Sequence, residues 1–511
     1  MSTLPAGATA AVEVERTYDV PVDAVVPPLA GVRGVATVEV VEHALEATYY
    51  DTADLRLRAA GTTLRRRTGG ADAGWHLKTP AGRDREELAL PLGRGRAVPP
   101  ALRALVRAAA RGQALVPVAV LATRRTVSRL LDADGALLVE VADDRVTGTP
   151  TNGEPLVWRE WEAELGAGDP ALLDEVEALL RGAGAVDATS TSKVGRVLAA
   201  SAPDAPWWAS REPHPGTRTA GDVVLRHLHQ QVQELTRRDP QVRRDADDAV
   251  HRMRVATRRL RSAMQTMRPL LERERTDPVR AELAWLAGLL GEARDAEVQC
   301  ARLHALLDEE EAGPGLVGPV RARVDAVFDA RYRAAHAEVV RALDGPRYLA
   351  LLQALDGLLA DPPLSRHARD QAAKRLPRVV HRAWRRLDEA LEEVDAAPTD
   401  DARDLLLHEA RKAAKRARYA PEAVAPALGR PAARAAKAAE ALTEALGEHQ
   451  DGVVTREVLR EVADLAHAAG EPTFTYGRLH AREQDRADRA VAGWPAARAA
   501  AAKGRVRRWL G

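Results

Sequence analysis

The chain has 511 residues, 46% of them apolar and 29% charged, enough for roughly two to four domains with cores of their own. No run of about eighteen uncharged apolar residues is present, which excludes a membrane-spanning helix on sequence grounds. Lys and Arg number 75 against 74 Asp and Glu, so a net charge of +1 excludes an overall basic field as the source of any anion affinity.

The first residues lack a basic start followed by an apolar stretch, and the single cysteine, Cys300, rules out an internal disulfide. Both point to a reducing, cytoplasmic setting. Up to about residue 165 the pattern largely alternates, in segments such as "AVEVERTYDV", "TTLRRRT", "GWHLKTP", "GALLVEVADDRV" and "LVWREWEAELG". These read as strands of an antiparallel sheet or barrel, with short helices around 99–110 and 171–182. The stretch "SAPDAPWWASREPHPGT" has four prolines and no periodicity, so residues 201–217 read as a linker between domains at 1–200 and 218–511. Beyond residue 220 the period becomes helical, with breaks expected near 239, 313, 346, 362 and 397.

On the strands, Glu13 and Glu15 share one face, as do Glu160, Glu162 and Glu164. Arg65, Arg67, Lys78 and either Arg124 or Arg125 form a basic set on the strands between. A solvent-facing sheet accounts for any one of these strands. Together, facing inward, they would make a charged interior that needs a ligand and a metal to neutralise it. Paired carboxylates at alternate positions suit Mg²⁺ or Mn²⁺, and Arg and Lys suit phosphate oxygens.

This half resembles the CYTH family, the triphosphate tunnel metalloenzymes, over about residues 8–200. The resemblance rests on Glu13-Val-Glu15-Arg16-Thr17, on "TYYDTADLRLRAAGTTLRRR" and on "TSKVGR". It implies an antiparallel eight-stranded barrel forming a tunnel that processes inorganic triphosphate, thiamine triphosphate or related substrates. Glu13, Glu15, Glu162 and Glu164 then become metal ligands, with Glu140, Asp143, Asp144 and Glu160 as further acids whose orientation the pattern leaves open. Arg65, Arg67, Lys78, Arg124, Arg125 and Lys193 become phosphate clamps. Thr17 departs from the family pattern, which has lysine there, and Arg16 points to the other face of the strand.

The helical half repeats itself. "HRMRVATRRLR" at His251 returns as "HEARKAAKRAR" at His408, an offset of 157 residues, and "LLGEARDAEV" returns as "ALGEHQDGVV". Two units of about 150 residues follow, near 218–362 and 363–511. On a helical wheel His251, Arg254, Arg258 and Arg261 fall within a sector about 80° wide, with Met253, Ala256, Leu260, Met264 and Met267 opposite. His408, Arg411, Lys415 and Arg418 reproduce the stripe, backed by Leu406, Ala410 and Ala417. Like charges one turn apart cost roughly 0.2–0.5 kcal/mol per pair. A solvated face or internal pairing with Asp295 and Asp451 explains one such stripe, and a polyanion explains two better. A stripe of ~15 Å matches a linear chain of phosphates.

These repeated helices, with "PRYLALL", resemble the CHAD family over about residues 218–511. The resemblance implies two four-helix units and binding of inorganic polyphosphate by both stripes, with Arg252, Arg259, Lys412 and Arg416 on the flanks. The combined expectation is a two-domain triphosphatase acting on P–O–P bonds with Mg²⁺ or Mn²⁺, associated with polyphosphate deposits. The alternative is a non-catalytic polyphosphate sensor with a weakened barrel site. Nucleic acid is disfavoured as a partner because no aromatics interleave with the basic positions. The pattern is silent on oligomeric state.

Overall fold

A computed structural model of the chain describes residues 8–81, 84–190, 192–199 and 219–510. Met1–Asp204 and Ala205–Gly511 form two compact units. The linker expected at 201–217 lies outside the described residues, as does the side chain of Glu13. No described helix is long and apolar enough to cross a membrane.

The first unit runs β1 (Thr9–Glu13), β2 (Glu15–Asp19), β3 (Thr37–Asp51), α1 (Arg56–Ala59), β4 (Thr63–Thr68), β5 (Gly74–Ala81), β6 (Asp84–Pro91) and α2 (Pro100–Leu105). It continues with β7 (Val116–Leu131), β8 (Leu137–Pro150), β9 (Leu156–Leu165), α3 (Ala171–Gly182), β10 (Val186–Asp187) and α4 (Lys193–Val197). All strands join one antiparallel sheet of ten strands in the order β1-β6-β5-β4-β3-β7-β8-β9-β2-β10. This corrects the expected closed eight-stranded barrel. The first strand is split at Val14, so that β1 pairs with β6 while β2 pairs with β9, and the two-residue β10 adds to β2. Only Val14 separates the two segments, so the sheet must bend round to bring its margins together. Its outer face is apolar where α3 covers it: Trp161, Tyr18, Val141, Leu173, Val176 and Leu180 share one buried cluster.

The second unit is all-helical: α5 (Ala220–Arg243), α6 (Ala249–Thr266), α7 (Arg273–Glu311), α8 (Val320–Asp344), α9 (Pro346–Ala360), α10 (Ala372–Asp395), α11 (Asp400–Leu428), α12 (Arg430–Ala468), α13 (Phe474–Ala502) and α14 (Gly504–Arg507). A reciprocal capping box starts α5: Asp222 N donates to Thr219 Oγ1 at 3.1 Å, and Thr219 N donates to Asp222 Oδ2 at 2.9 Å. The helix runs through Pro240, against the break expected near 239, because Pro240 sits in its last turn and Arg243 Nε reaches back to buried Asp239 at 2.6 Å. Helices α5 and α10 each have 24 residues, and α7 and α12 each have 39. Among the described residues each expected unit holds five helices, not four, because Pro346 starts α9 directly after Gly345 and the short α14 follows Lys503. The expected inner face of α6 is its buried face, with Met253 and Leu260 fully enclosed.

Trp161 has no exposed surface. Trp161→Ala is expected to cost the sheet unit ~3–5 kcal/mol, read as a lower denaturant midpoint for that unit's transition.

Candidate functional site

Strict alternation along β9 sends Trp161 and Ala163 to the apolar side and Glu160, Glu162 and Glu164 to the other. Register carries the acidic face sideways. Glu162 lies opposite Thr17 of β2 and Ala142 of β8, Glu164 lies between Glu15 and Glu140, and Glu160 lies opposite Asp144. Lys78 on β5 and Glu15 on β2 are six places apart along the ladder through β3, roughly 29 Å at ordinary strand spacing, if the sheet were flat. Their side chains approach to 3.8 Å. The sheet therefore curls strongly, and these groups share its concave side.

The densest charge cluster there centres on Lys193, delivered by α4. Ser192 caps this short helix, accepting from Gly195 N. The Lys193 ammonium lies 2.5 Å from Glu162, 2.6 Å from Glu160 and 3.0 Å from Asp144. Arg125 adds a forked contact to Asp144, at 2.7 and 2.6 Å, and reaches Glu162 at 2.6 Å. Burial opposes charge on Glu162, Lys193 and Arg125. Lys193 and Arg125 nevertheless hold the Glu162 carboxyl well below its ordinary value, and Glu162 and its neighbours hold both cations above theirs.

Not every expected residue joins this face. Arg124 is exposed on the opposite side of β7. Asp143 points away from Asp144 and takes the Arg159 fork at 2.8 and 2.6 Å. Arg67 shares the strand face of Arg65 but forms an ion pair with Asp72, while burial and the charges of Arg65 and Arg125 push its guanidinium down. Arg16 turns outward to Asp174 and Glu177 of α3. Arg65 does stand on the concave side, 3.6 Å from Glu87, a residue the sequence reading passed over, and Glu87 also contacts His76 Nδ1 at 2.9 Å. Asp51, quoted only within a motif, turns out to be structural. Its carboxylate accepts from the backbone of Thr52, Leu57 and Arg58 at 2.7, 2.8 and 2.9 Å, fixing the start of α1.

Two groups of acids on the concave side offer oxygen ligands. Ligand oxygens of Asp144, Glu160 and Glu162 lie within 4.8 Å of one another, but Lys193 already reaches all three. Glu15, Glu164 and Glu140 carry less compensation. Burial pushes the Glu164 carboxyl up, and Glu15, Glu140 and Glu162 push it further against the pull of Lys78. An all-oxygen set with surplus negative charge fits a hard divalent cation.

In the helical unit, α6 packs against α11 and brings the two cationic stripes together. Tyr419 of α11 lies under two guanidinium groups, Arg258 of α6 at 5.1 Å and Arg418 of α11 at 5.8 Å from the ring centre. Arg254 meets Asp295 at 3.5 Å, and Arg411 meets Asp451 at 3.1 Å, so the two repeats use matching acids. Arg418 instead pairs with Glu422 at 2.7 Å and Glu440 at 2.5 Å. Arg261 lies further along, where burial and Arg280 lower it. Burial and Arg294 lower His251, while His408 is exposed beside Gln450 at 3.3 Å. On the flanks, Arg252 pairs with Asp248 at 2.9 Å and Arg259 with Glu422 at 3.5 Å.

Comparison with known proteins gives this geometry a family. Residues 13–196 match the CYTH domain and residues 226–460 match the CHAD domain. The chain is a CYTH domain followed by a CHAD domain. It is 40% identical over 499 residues to an uncharacterized protein of Mycobacterium tuberculosis, covering 93% of this chain and 94% of that one. The chain is also similar to two solved structures. PptA from Streptomyces chartreusis is 23% identical, with a TM-score of 0.46, covering 55% of this chain and 99% of that one. The CHAD domain of Ricinus communis is 26% identical, with a TM-score of 0.45, covering 58% of this chain and 97% of that one.

A glycine stands beside an arginine at matching places in the CHAD repeats, and at Gly447 the missing side chain lets Arg411 lie against the neighbouring helix. A Cβ on Gly447 would come within 3.1 Å of Arg411 Nη2, and one on Gly291 would stand 3.8 Å from the Arg254 guanidinium. The first substitution would force Arg411 to shift, whereas the second would be an ordinary contact. Crowding shows most clearly at Lys415, which burial, then Arg411, Arg258 and Arg254, pushes down to about 8. Between about pH 8 and the ordinary lysine value of 10.5, the unfolded chain binds a proton that the folded chain does not. The contribution of Lys415 to stability therefore rises with pH across that window, and below it the full repulsion acts. Lys415→Met is expected to raise the denaturation midpoint of the CHAD domain near neutral pH, with the gain fading as pH climbs through the window. A gain of equal size throughout would contradict this account.

Proposed function

We propose that the CYTH domain hydrolyses inorganic triphosphate or short-chain polyphosphate with the help of Mg²⁺ or Mn²⁺, and that the CHAD domain binds polyphosphate. The observation that carries this reading is the concave face itself, where Arg65, Lys78, Arg125 and Lys193 stand among carboxylates that outnumber them. A chain of phosphates matches the cations and a divalent ion matches the surplus acids. Glu15, Glu140 and Glu164 would hold the ion, which neutralises charge on the phosphate oxygens when bound. Arg65 and Lys78 grip the non-bridging oxygens, and Arg125 and Lys193 offset the charge that develops on the leaving phosphate as water attacks the terminal phosphorus in line. Positioning and electrostatics supply most of the rate.

The CHAD domain supports the second part of the reading. Arg254, Arg258, Arg411 and Lys415 repel one another in the free protein, and polyphosphate oxygens would relieve that repulsion. Both domains then serve one ligand class, which fits a protein associated with polyphosphate deposits.

A second reading, a non-catalytic sensor, draws support from Thr17. Its short side chain faces Glu162, so the ammonium adjoining that carboxylate comes from Lys193, itself held by three acids. Phosphate release from tripolyphosphate with Mg²⁺ or Mn²⁺ separates the two. Hydrolysis requires Glu164→Gln and Arg125→Ala to lower kcat/KM by about 10²-fold or more. Release no faster from the native chain than from these variants would leave only the sensor. For the CHAD domain, Arg258→Ala combined with Arg411→Ala is expected to weaken retention of long polyphosphate, and added salt should weaken it steeply. Salt-insensitive binding, or equal displacement by duplex DNA, would contradict a selective polyphosphate site.

A further inference from the structure

The hairpin of α7 and α8 carries a cluster that neither the acidic face nor the cationic stripes use. Cys300 and His304 stand one turn apart on α7, and Asp325 and Asp329 stand one turn apart on α8. Cys300 Sγ lies 3.8 Å from His304 Nε2, and the same nitrogen lies 2.6 Å from Asp325 Oδ1. One ligand atom from each of Cys300, His304 and Asp325 falls within 4.8 Å of the other two. All three side chains are half-buried, and the thiol packs on an apolar cluster that includes Leu303, Leu307, Val324 and Phe328.

The surroundings make this cluster unusual for the molecule. Neighbouring acids on the same helices have arginine partners: Asp308 and Glu311 share Arg321, Glu297 has Arg294, and Glu310 has Arg478 and Arg482. Among the described residues, neither Asp325 nor Asp329 forms an ion pair with Lys or Arg. Both carboxylates bear on the thiol, which burial and their charge hold above its ordinary value. A His–Asp hydrogen bond beside a packed thiol explains the 2.6 Å contact. It does not explain why a thiol, an imidazole and a carboxylate without an arginine partner bring their ligand atoms within 4.8 Å of one another.

We propose that Cys300, His304 and Asp325 bind a borderline divalent transition metal, zinc(II) fitting best. A thiolate, an imidazole and a carboxylate suit this class, whereas the all-oxygen face of the CYTH domain suits harder ions. Tetrahedral zinc with bonds of ~2.3 Å to sulfur and ~2.0–2.1 Å to nitrogen sets the two atoms roughly 3.5 Å apart. The observed 3.8 Å is close to that. The His304–Asp325 pair has to open by less than an ångström for the ion to replace its hydrogen bond, and the fourth position falls to water. As the sulfur–metal bond forms, the thiol proton passes to solvent.

Cys300 is the only cysteine in the chain, which makes the test specific. The full chain, freed of any affinity tag, is titrated with Co²⁺ as the spectroscopic probe and then with Zn²⁺ against a chromophoric chelator. The native chain should show a thiolate-to-cobalt charge-transfer band that zinc displaces at one equivalent. Cys300→Ser should abolish the band, and His304→Ala and Asp325→Asn should each weaken zinc binding by at least about tenfold. Cys300→Ser and Asp325→Asn are near-isosteric, and far-ultraviolet circular dichroism checks that each variant is folded. Absence of the band in the native chain at saturating cobalt, or equal zinc affinity in native and variant chains, overturns the site. Metal held only by the CYTH carboxylates gives no thiolate band and counts against it.

Discussion

The concave face of the CYTH domain depends on a buried ammonium. Lys193 lies within hydrogen-bonding distance of three carboxylates, and removing such charges from water costs several kcal/mol for each ion before pairing repays it. Repayment here needs every partner at once. Asp144 is fully enclosed and cannot fall back on solvent, so it requires both Lys193 and the Arg125 fork. The same requirement disciplines the backbone. A one-residue slip of β9 would replace Glu160, Glu162 and Glu164 with Arg159, Trp161 and Ala163 on the charged side, while burying acids under α3. Electrostatics on one side and apolar packing on the other therefore specify the same register.

The CHAD domain balances its account differently. Its cations converge with only partial acidic compensation, and the opposite sides of the same helices hold them there. Met253, Leu260 and Met264 on α6 and Ala410, Ala414 and Ala417 on α11 are all buried, and the small residues let neighbouring helices come close. Tyr419 softens the repulsion by offering its ring to Arg258 and Arg418. The depressed Lys415 marks what the tyrosine and the two matching aspartates leave uncompensated.

Much of this was legible in the sequence wherever one period governs one face. Glu160, Glu162 and Glu164 share a side because strand side chains alternate, and the paired His-x-x-Arg helices show their stripes on a wheel. Choices between adjacent residues were not legible. Asp143 and Asp144, or Arg124 and Arg125, are chemically alike, and only cross-strand register assigns one of each to the concave side. The long strand β3 was missed because "TVEVVEHALEATYYD" mixes Ala, Glu and Leu with its β-branched residues. The split at Val14 was hidden for another reason: it follows from which partners are in reach, not from any breaker residue. Pro240 misled in the opposite direction, since a helix tolerates proline in a last turn secured from elsewhere.

The seam at Val14 also bears on the order of assembly. Residues Thr9 to Asp19, which precede every other strand of this sheet along the chain, pair with β6 on one side and β9 on the other, so neither margin can seat until much later segments exist. The nascent sheet must mature inward from the local hairpins β4–β5, β5–β6 and β7–β8, with its earliest strand stitched in near the end. Until that stitch is made, β6 and β9 present bare edges to any other nascent chain nearby.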